Sequence, residues 1–151
     1  MAVTTLYTIG YERASVPDFI AALQAAGVKT LIDVREVANS RRAGFSKKAL
    51  AASLDAAGVA YVHMKALGTP KAGREAARKG DVKTMHRIFE AKLAEPESQL
   101  ALQEAADVAK HGKACLMCLE HDWRDCHRAI VAARLKPFGL RAEHLSPEPK
   151  I

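Results

Sequence analysis

The chain has 151 residues, 49% hydrophobic and 26% charged, with 23 lysines and arginines against 17 aspartates and glutamates for a net charge of +6. That balance excludes a disordered tail and suits one globular domain over 1–151 with a sizeable core. No apolar run approaches the length of a membrane span. The positive charge suits an anionic partner (a phosphate, a carboxylate or a nucleic acid) or, more plainly, a lysine-decorated surface. Three cysteines make no secreted disulfide framework. The first ten residues carry no basic stretch before their apolar run, so no signal peptide is expected and a reducing, cytoplasmic setting is.

Residues 4–9 read as a first strand that Gly10 breaks. Ser15-Val16-Pro17-Asp18 is a helix start, with a capping serine, an early proline and an acidic residue three positions on. Phe19, Ile20 and Leu23 give that helix an apolar face, and Gly27 ends it. Residues 30–35, Thr-Leu-Ile-Asp-Val-Arg, form a second strand, apolar enough to be central. A polar loop over 36–45 precedes Ser46, the expected cap of a helix with Leu50 and Leu54 on its face, and Gly58 closes it. Residues 59–64 are a third strand.

Residues 66–83 read as irregular, either a short helix or a flap, and carry Lys71, Arg74, Arg78, Lys79 and Lys83. A helix with Met85, Ile88, Phe89 and Leu93 on one face follows; Glu95-Pro96-Glu97 breaks it, and another runs from about 98 to 110. The apolar run from Ala114 to Leu119 is a fourth strand. Beyond a polar loop, Ile130, Val131 and Leu135 mark a last helix, closed by Gly139. Residues 141–145 make a final strand, and 146–151 a tail.

The helix–glycine–strand pattern recurs at Gly27, Gly58, Gly112 and Gly139. Strands and helices that alternate with short connections require right-handed crossovers. The expected fold is α/β: three layers, a mostly parallel sheet of about five strands, and helices on both faces. Ligands of such sheets bind beyond the carboxyl ends of the strands. Here those ends deliver Tyr11 and Glu12; Asp33 and Arg35, with Ser40 and Arg41 in the loop beyond; His63; and Cys118 and Glu120. Random scatter would put half of these residues at the opposite edge, so their convergence marks a candidate site.

The stretch from Lys113 to Leu135 holds all three cysteines, Cys115, Cys118 and Cys126, and the lone Trp123. Asp125 reads as a helix N-cap, which would place Cys126, His127 and Arg128 in the first helical turn, where thiols ionise and anions bind. Cys115 reads as core. Cys126 and Cys118 are candidate nucleophiles or redox thiols, and buried cysteine is the plainer alternative for Cys118. Glu120 is a candidate acid or base, or an arginine's partner. Arg35, Arg41 and Arg128 would clamp an anion, with Asp33 orienting a neighbour. His63 and His127 would shuttle protons or serve as hydrogen-bonded structural residues. No cofactor is expected. Zinc on Cys118, Cys126 and His127, with Glu120 as fourth ligand, is disfavoured because adjacent ligands strain a tetrahedral shell and no second close cysteine pair exists.

Thr8-Ile9-Gly10-Tyr11, Asp33-Val34-Arg35 with Ser40-Arg41 and Gly44-Phe45-Ser46, Tyr61-Val62-His63 with Leu67-Gly68, and Cys118-x-Glu120 with Cys126-His127-Arg128 together resemble the "domain of unknown function 488" family. The resemblance covers about residues 4–145. It implies a small, single-domain cytoplasmic protein, mostly bacterial or archaeal, and brings no agreed activity. Where that family usually has serine after its first Gly-Tyr, this chain has Glu12. Asp33-Val34-Arg35 is also similar to the Asp-Val-Arg of rhodanese-like domains, and Cys118 and Arg124 share their Cys-x5-Arg spacing. The bulky, acidic Leu-Glu-His-Asp-Trp between them argues against an anion-cradling loop.

These readings favour an uncharacterised-family enzyme, a thiol-dependent hydrolase or transferase, acting on a small anionic or phosphate-bearing substrate. A nucleic-acid-binding module using the basic stretch is the alternative, although that stretch lacks interleaved aromatics for base stacking. A non-catalytic ligand sensor is the third reading. No membrane partner is expected, and no oligomeric state follows.

Overall fold

The computed structural model describes residues 3–120 and 126–147. Strand β1 (Thr4–Gly10) continues through Gly10 rather than stopping before it. The Ser15 hydroxyl accepts a hydrogen bond from the Asp18 amide at 3.2 Å and so opens helix α1 (Val16–Ala26); Gly27 closes it in the left-handed region. Strand β2 (Thr30–Asp33) ends before Arg35. Helix α2 (Lys47–Ala56) leads to strand β3 (Ala60–His63). Ser46 does not cap α2 with its side chain. Its hydroxyl instead accepts from the Ser40 amide and donates to the Ser40 carbonyl, closing the loop on itself.

The segment expected to be irregular is ordered into a short 3-10 turn (Lys65–Leu67) and helix α3 (Lys71–Arg78). Helix α4 (Val82–Leu93) follows, and α5 (Pro96–His111) starts on the proline itself, whose missing N–H costs nothing at a first helical position. Strand β4 (Ala114–Cys118) is buried along its whole length. Helix α6 (Arg128–Leu135), a 3-10 turn (Lys136–Phe138) and strand β5 (Leu140–Leu145) complete the described chain. Among the described residues, no helix is long and apolar enough to cross a membrane.

All five strands pair in parallel, in the order β3-β2-β4-β1-β5. The fold is thus three-layered α/β, as the alternating pattern requires. Phe19 and Leu23 of α1 and Leu50 and Leu54 of α2 pack with Leu31 and Met117 on one face. Phe89, Leu102, Ala105 and Val131, from α4, α5 and α6, pack with Ile32 and Leu116 on the other. Chain connections therefore leave β1 and β2 toward one face, and β3 and β4 toward the opposite face. Neighbouring strands whose connections part in this way open a crevice at their carboxyl ends. Here β4 lies between β2 and β1, so Cys118 ends between the segments carrying Arg35 and Tyr11.

Candidate functional site

A cleft of about 860 Å³ opens at that crevice. Arg35, Arg41, Arg42, Arg74 and Arg78 line it, opposed by Glu12, Glu36 and Glu120. Tyr11, Ser40, Cys118 and His127 also face it. Two exposed apolar side chains, Val37 and Leu119, stand at the same cleft.

The floor of the cleft is built on Asp33. Its carboxylate is fully buried and accepts from Arg35 Nε at 2.9 Å and Nη2 at 2.7 Å, from the Arg35 amide at 3.1 Å, and from the Tyr61 hydroxyl at 2.5 Å. Burial works against a charged Arg35, but the bidentate Asp33 carboxylate overcomes it and holds the guanidinium more basic than a free arginine. Burial and the same carboxylate push the Tyr61 hydroxyl well above its ordinary range. Arg35 Nη1 then donates to the Phe45 carbonyl at 2.7 Å and the Tyr11 hydroxyl at 3.3 Å, while the Tyr11 ring stacks on Phe45 at 4.6 Å. Arg35 is therefore a fixed charge at the cleft, and Asp33 is the residue that fixes it. Arg41, in contrast, is exposed and has no partner among the described residues.

The sulfur end lies across the cleft. Cys118 closes β4, and its sulfur is bonded to that of Cys126. The Glu120 carboxylate lies 3.6 Å from Cys118 Sγ. Arg128, fully buried, donates from Nη1 to Cys118 Sγ at 3.2 Å and to the Glu120 carbonyl at 2.5 Å, from Nε to the Thr8 hydroxyl at 3.2 Å, and from its amide to Cys126 Sγ at 3.4 Å. His127 meets the Val34 carbonyl through Nε2 at 2.7 Å. Burial lowers its pKa to about 4, leaving a neutral ring. Cys115 is fully buried in the core, and burial pushes its thiol far up, as befits an inert cysteine.

Tyr11, Arg35, Ser40, Arg41, Cys118, Glu120 and His127 share the cleft. Asp33, Cys126 and Arg128 stand behind it as supports. His63 falls outside, lining a separate hollow of about 480 Å³, and its Nε2 lies 2.7 Å from the Arg35 carbonyl. Helix α6 begins at Arg128, so Cys126 and His127 form the turn before it rather than its first turn. Asp125, Trp123 and Arg124, and with them the Cys-x5-Arg spacing, lie outside the described residues.

The basic segment is where a sequence reading falls short. Arg74 and Arg78 face the cleft from α3, and Arg74 pairs with Glu36 at 2.6 Å. Their spacing of four on a helix carried that signal, because such residues share a face. The sequence model of the family described as "Domain of unknown function DUF488" matches residues 15–135. No curated protein and no solved structure matches the chain.

Proposed function

The chain belongs to the DUF488 family, whose description assigns no function, and from that premise we propose that it is a cytoplasmic enzyme acting on a small organic anion, carboxylate- or phosphate-bearing. The observation that carries the reading is the cleft in which arginines from the β2–α2 connection and from α3 converge on a cysteine-bearing strand end. Arg35, held rigid by Asp33, supplies an oriented guanidinium fork. Arg41 and Arg78 supply cations that reach a ligand entering from solvent. Val37 and Leu119 offer contact to an apolar part of the same ligand. The reaction end is Cys118, Cys126 and Glu120. Once the bond between Cys118 and Cys126 is reduced, the hydrogen bonds from Arg128 favour charge on sulfur, and Glu120 is the group beside it that exchanges protons. A cysteine-dependent hydrolase or transferase fits this assembly.

The test is a thermal-shift panel of phosphate, sulfate, small phosphate esters and carboxylates at low salt. A binding anion raises the melting temperature, and an Arg41→Ala/Arg78→Ala variant should lose most of that rise. The reading falls if no anion stabilises the protein or if the double variant responds as the parent does. Salt-sensitive binding of unrelated nucleic acids through Lys71, Lys79 and Lys83 would favour the binding-module alternative.

A further inference from the structure

We infer that Cys118 and Cys126, once reduced, hold a zinc ion together with His127. The inference takes from the reading of the cleft only the anion site, which gives the fourth coordination position its role, and sets zinc-bound thiolates in place of that reading's free reactive cysteines.

Sγ of Cys118, Sγ of Cys126 and a ring nitrogen of His127 all lie within 4.8 Å of one another, and all three residues are buried. They come from two separate pieces of backbone, the end of β4 and the turn before α6, so the convergence is made by the tertiary fold.

His127 is already set as a metal ligand sets its ring. A carbonyl only accepts, so the 2.7 Å contact with Val34 places the proton on Nε2. Nδ1 keeps its lone pair, 3.8 Å from Cys126 Sγ. A ring whose outer nitrogen is pinned by a backbone carbonyl is the usual support of a zinc-bound histidine. Zinc–sulfur and zinc–nitrogen bonds of about 2.3 and 2.0 Å at a tetrahedral angle separate sulfur from nitrogen by about 3.5 Å. The observed spacing is close to that, so adjacency in sequence does not stop Cys126 and His127 from sharing one ion. The Cα atoms of Cys118 and Cys126 are 7.4 Å apart, which leaves room for the reduced sulfurs to sit on either side of a zinc.

The surrounding charges fit as well. Two buried thiolates need compensation that the Arg128 guanidinium alone does not provide. A dication neutralises them, and Arg128 keeps its hydrogen bonds to the Glu120 carbonyl and the Thr8 hydroxyl. The N–H groups of Arg128 that reach both sulfurs become the hydrogen bonds that commonly support metal-bound thiolates. Cys118 and His127 line the cleft, so the fourth position opens toward the arginines. Three protein ligands and one open position is the pattern of a catalytic rather than a structural zinc. The oxidised pair, with its sulfurs bonded to each other, excludes the ion.

The test titrates zinc into phosphine-reduced, chelator-stripped protein against a chromophoric competitor, with cobalt as a second probe. One zinc per chain is expected, together with a near-ultraviolet thiolate-to-cobalt band. The oxidised protein should take up neither metal. Cys118→Ser, Cys126→Ser and His127→Gln should each weaken zinc binding, the cysteine changes by about a hundredfold or more, whereas Cys115→Ser should not. Failure of the reduced parent to bind zinc overturns the inference without reliance on any variant, and so does unchanged affinity in both Cys118→Ser and Cys126→Ser. Anion stabilisation is measured separately on zinc-free protein. No zinc uptake with intact anion response strikes this inference alone; zinc uptake with no anion response strikes the reading of the cleft alone.

Discussion

Arg128 Nη1 donates to Cys118 Sγ at 3.2 Å while the Arg128 amide reaches Cys126 Sγ at 3.4 Å, so one fully buried residue holds both sulfurs. If that contact favours a charged sulfur, removing it must slow thiol chemistry. In reduced, metal-free protein at pH 7, Arg128→Met should slow iodoacetamide capture of Cys118 by about tenfold, followed by peptide mass. Cys115 is the internal control: its continued protection shows that the fold is intact. An unchanged rate at Cys118 with Cys115 protected would refute the role given to Arg128.

Asp33→Asn tests the floor of the cleft. The Asp33–Arg35 pair is 2.7 Å long, with the two side chains 0% and 7% exposed. Breaking one partner of such a pair leaves a buried charge uncompensated and costs about 3 kcal/mol. Urea unfolding should show that loss, and anion affinity should fall with it because Arg35 is no longer fixed. A midpoint within error of the parent would show that the pair does not organise the cleft.

Gly10→Ala should disrupt the site from the other side. A Cβ at Gly10 would fall on the Glu120 carbonyl and on Arg128 Nη1. The loop after β4 must then move off β1, at a cost of about 2 kcal/mol. Gly112→Ala is the matched control, since its backbone is extended and its Cβ would meet only the Lys29 side chain, at 3.7 Å or more. Equal melting temperatures for the two variants would contradict the close approach.

His144 predicts a pH dependence. Its Nδ1 lies 2.5 Å from the Thr8 hydroxyl, which also accepts from Arg128. Burial, then the positive charge of Arg128, hold its pKa below the ordinary histidine value. The unfolded chain therefore takes up this proton first, and stability falls as pH drops below about 6.5. His144→Gln removes that contribution. The parent's stability relative to the variant should be constant from pH 8 to 7 and shrink toward pH 5 in chemical denaturation. A constant difference across the range would remove His144 from the account.

The sequence by itself determined the elements and the edge. Ser15, Asp18 and Gly27 bound α1 through hydrogen bonds and a backbone conformation that lie within a few residues of one another, so local chemistry is sufficient to read them. Alternation of helices and strands required parallel pairing, and parallel pairing sent Tyr11, Arg35, Cys118 and Glu120 to one edge. Only the tertiary structure decided which of these meet. The order β3-β2-β4-β1-β5 follows from how apolar faces far apart in the chain mate, and that order sets Cys118 beside Arg35 while leaving His63 outside the cleft. Asp33 reads as orienting a neighbour, and only burial and the docking of β3 beside β2 show those neighbours to be Arg35 and Tyr61. Ser46 reads as a helix cap until its hydroxyl is found holding Ser40. The pairing of Cys118 with Cys126, and the placing of His127 beside both, depend on where α6 docks against the sheet, which no spacing along the chain encodes.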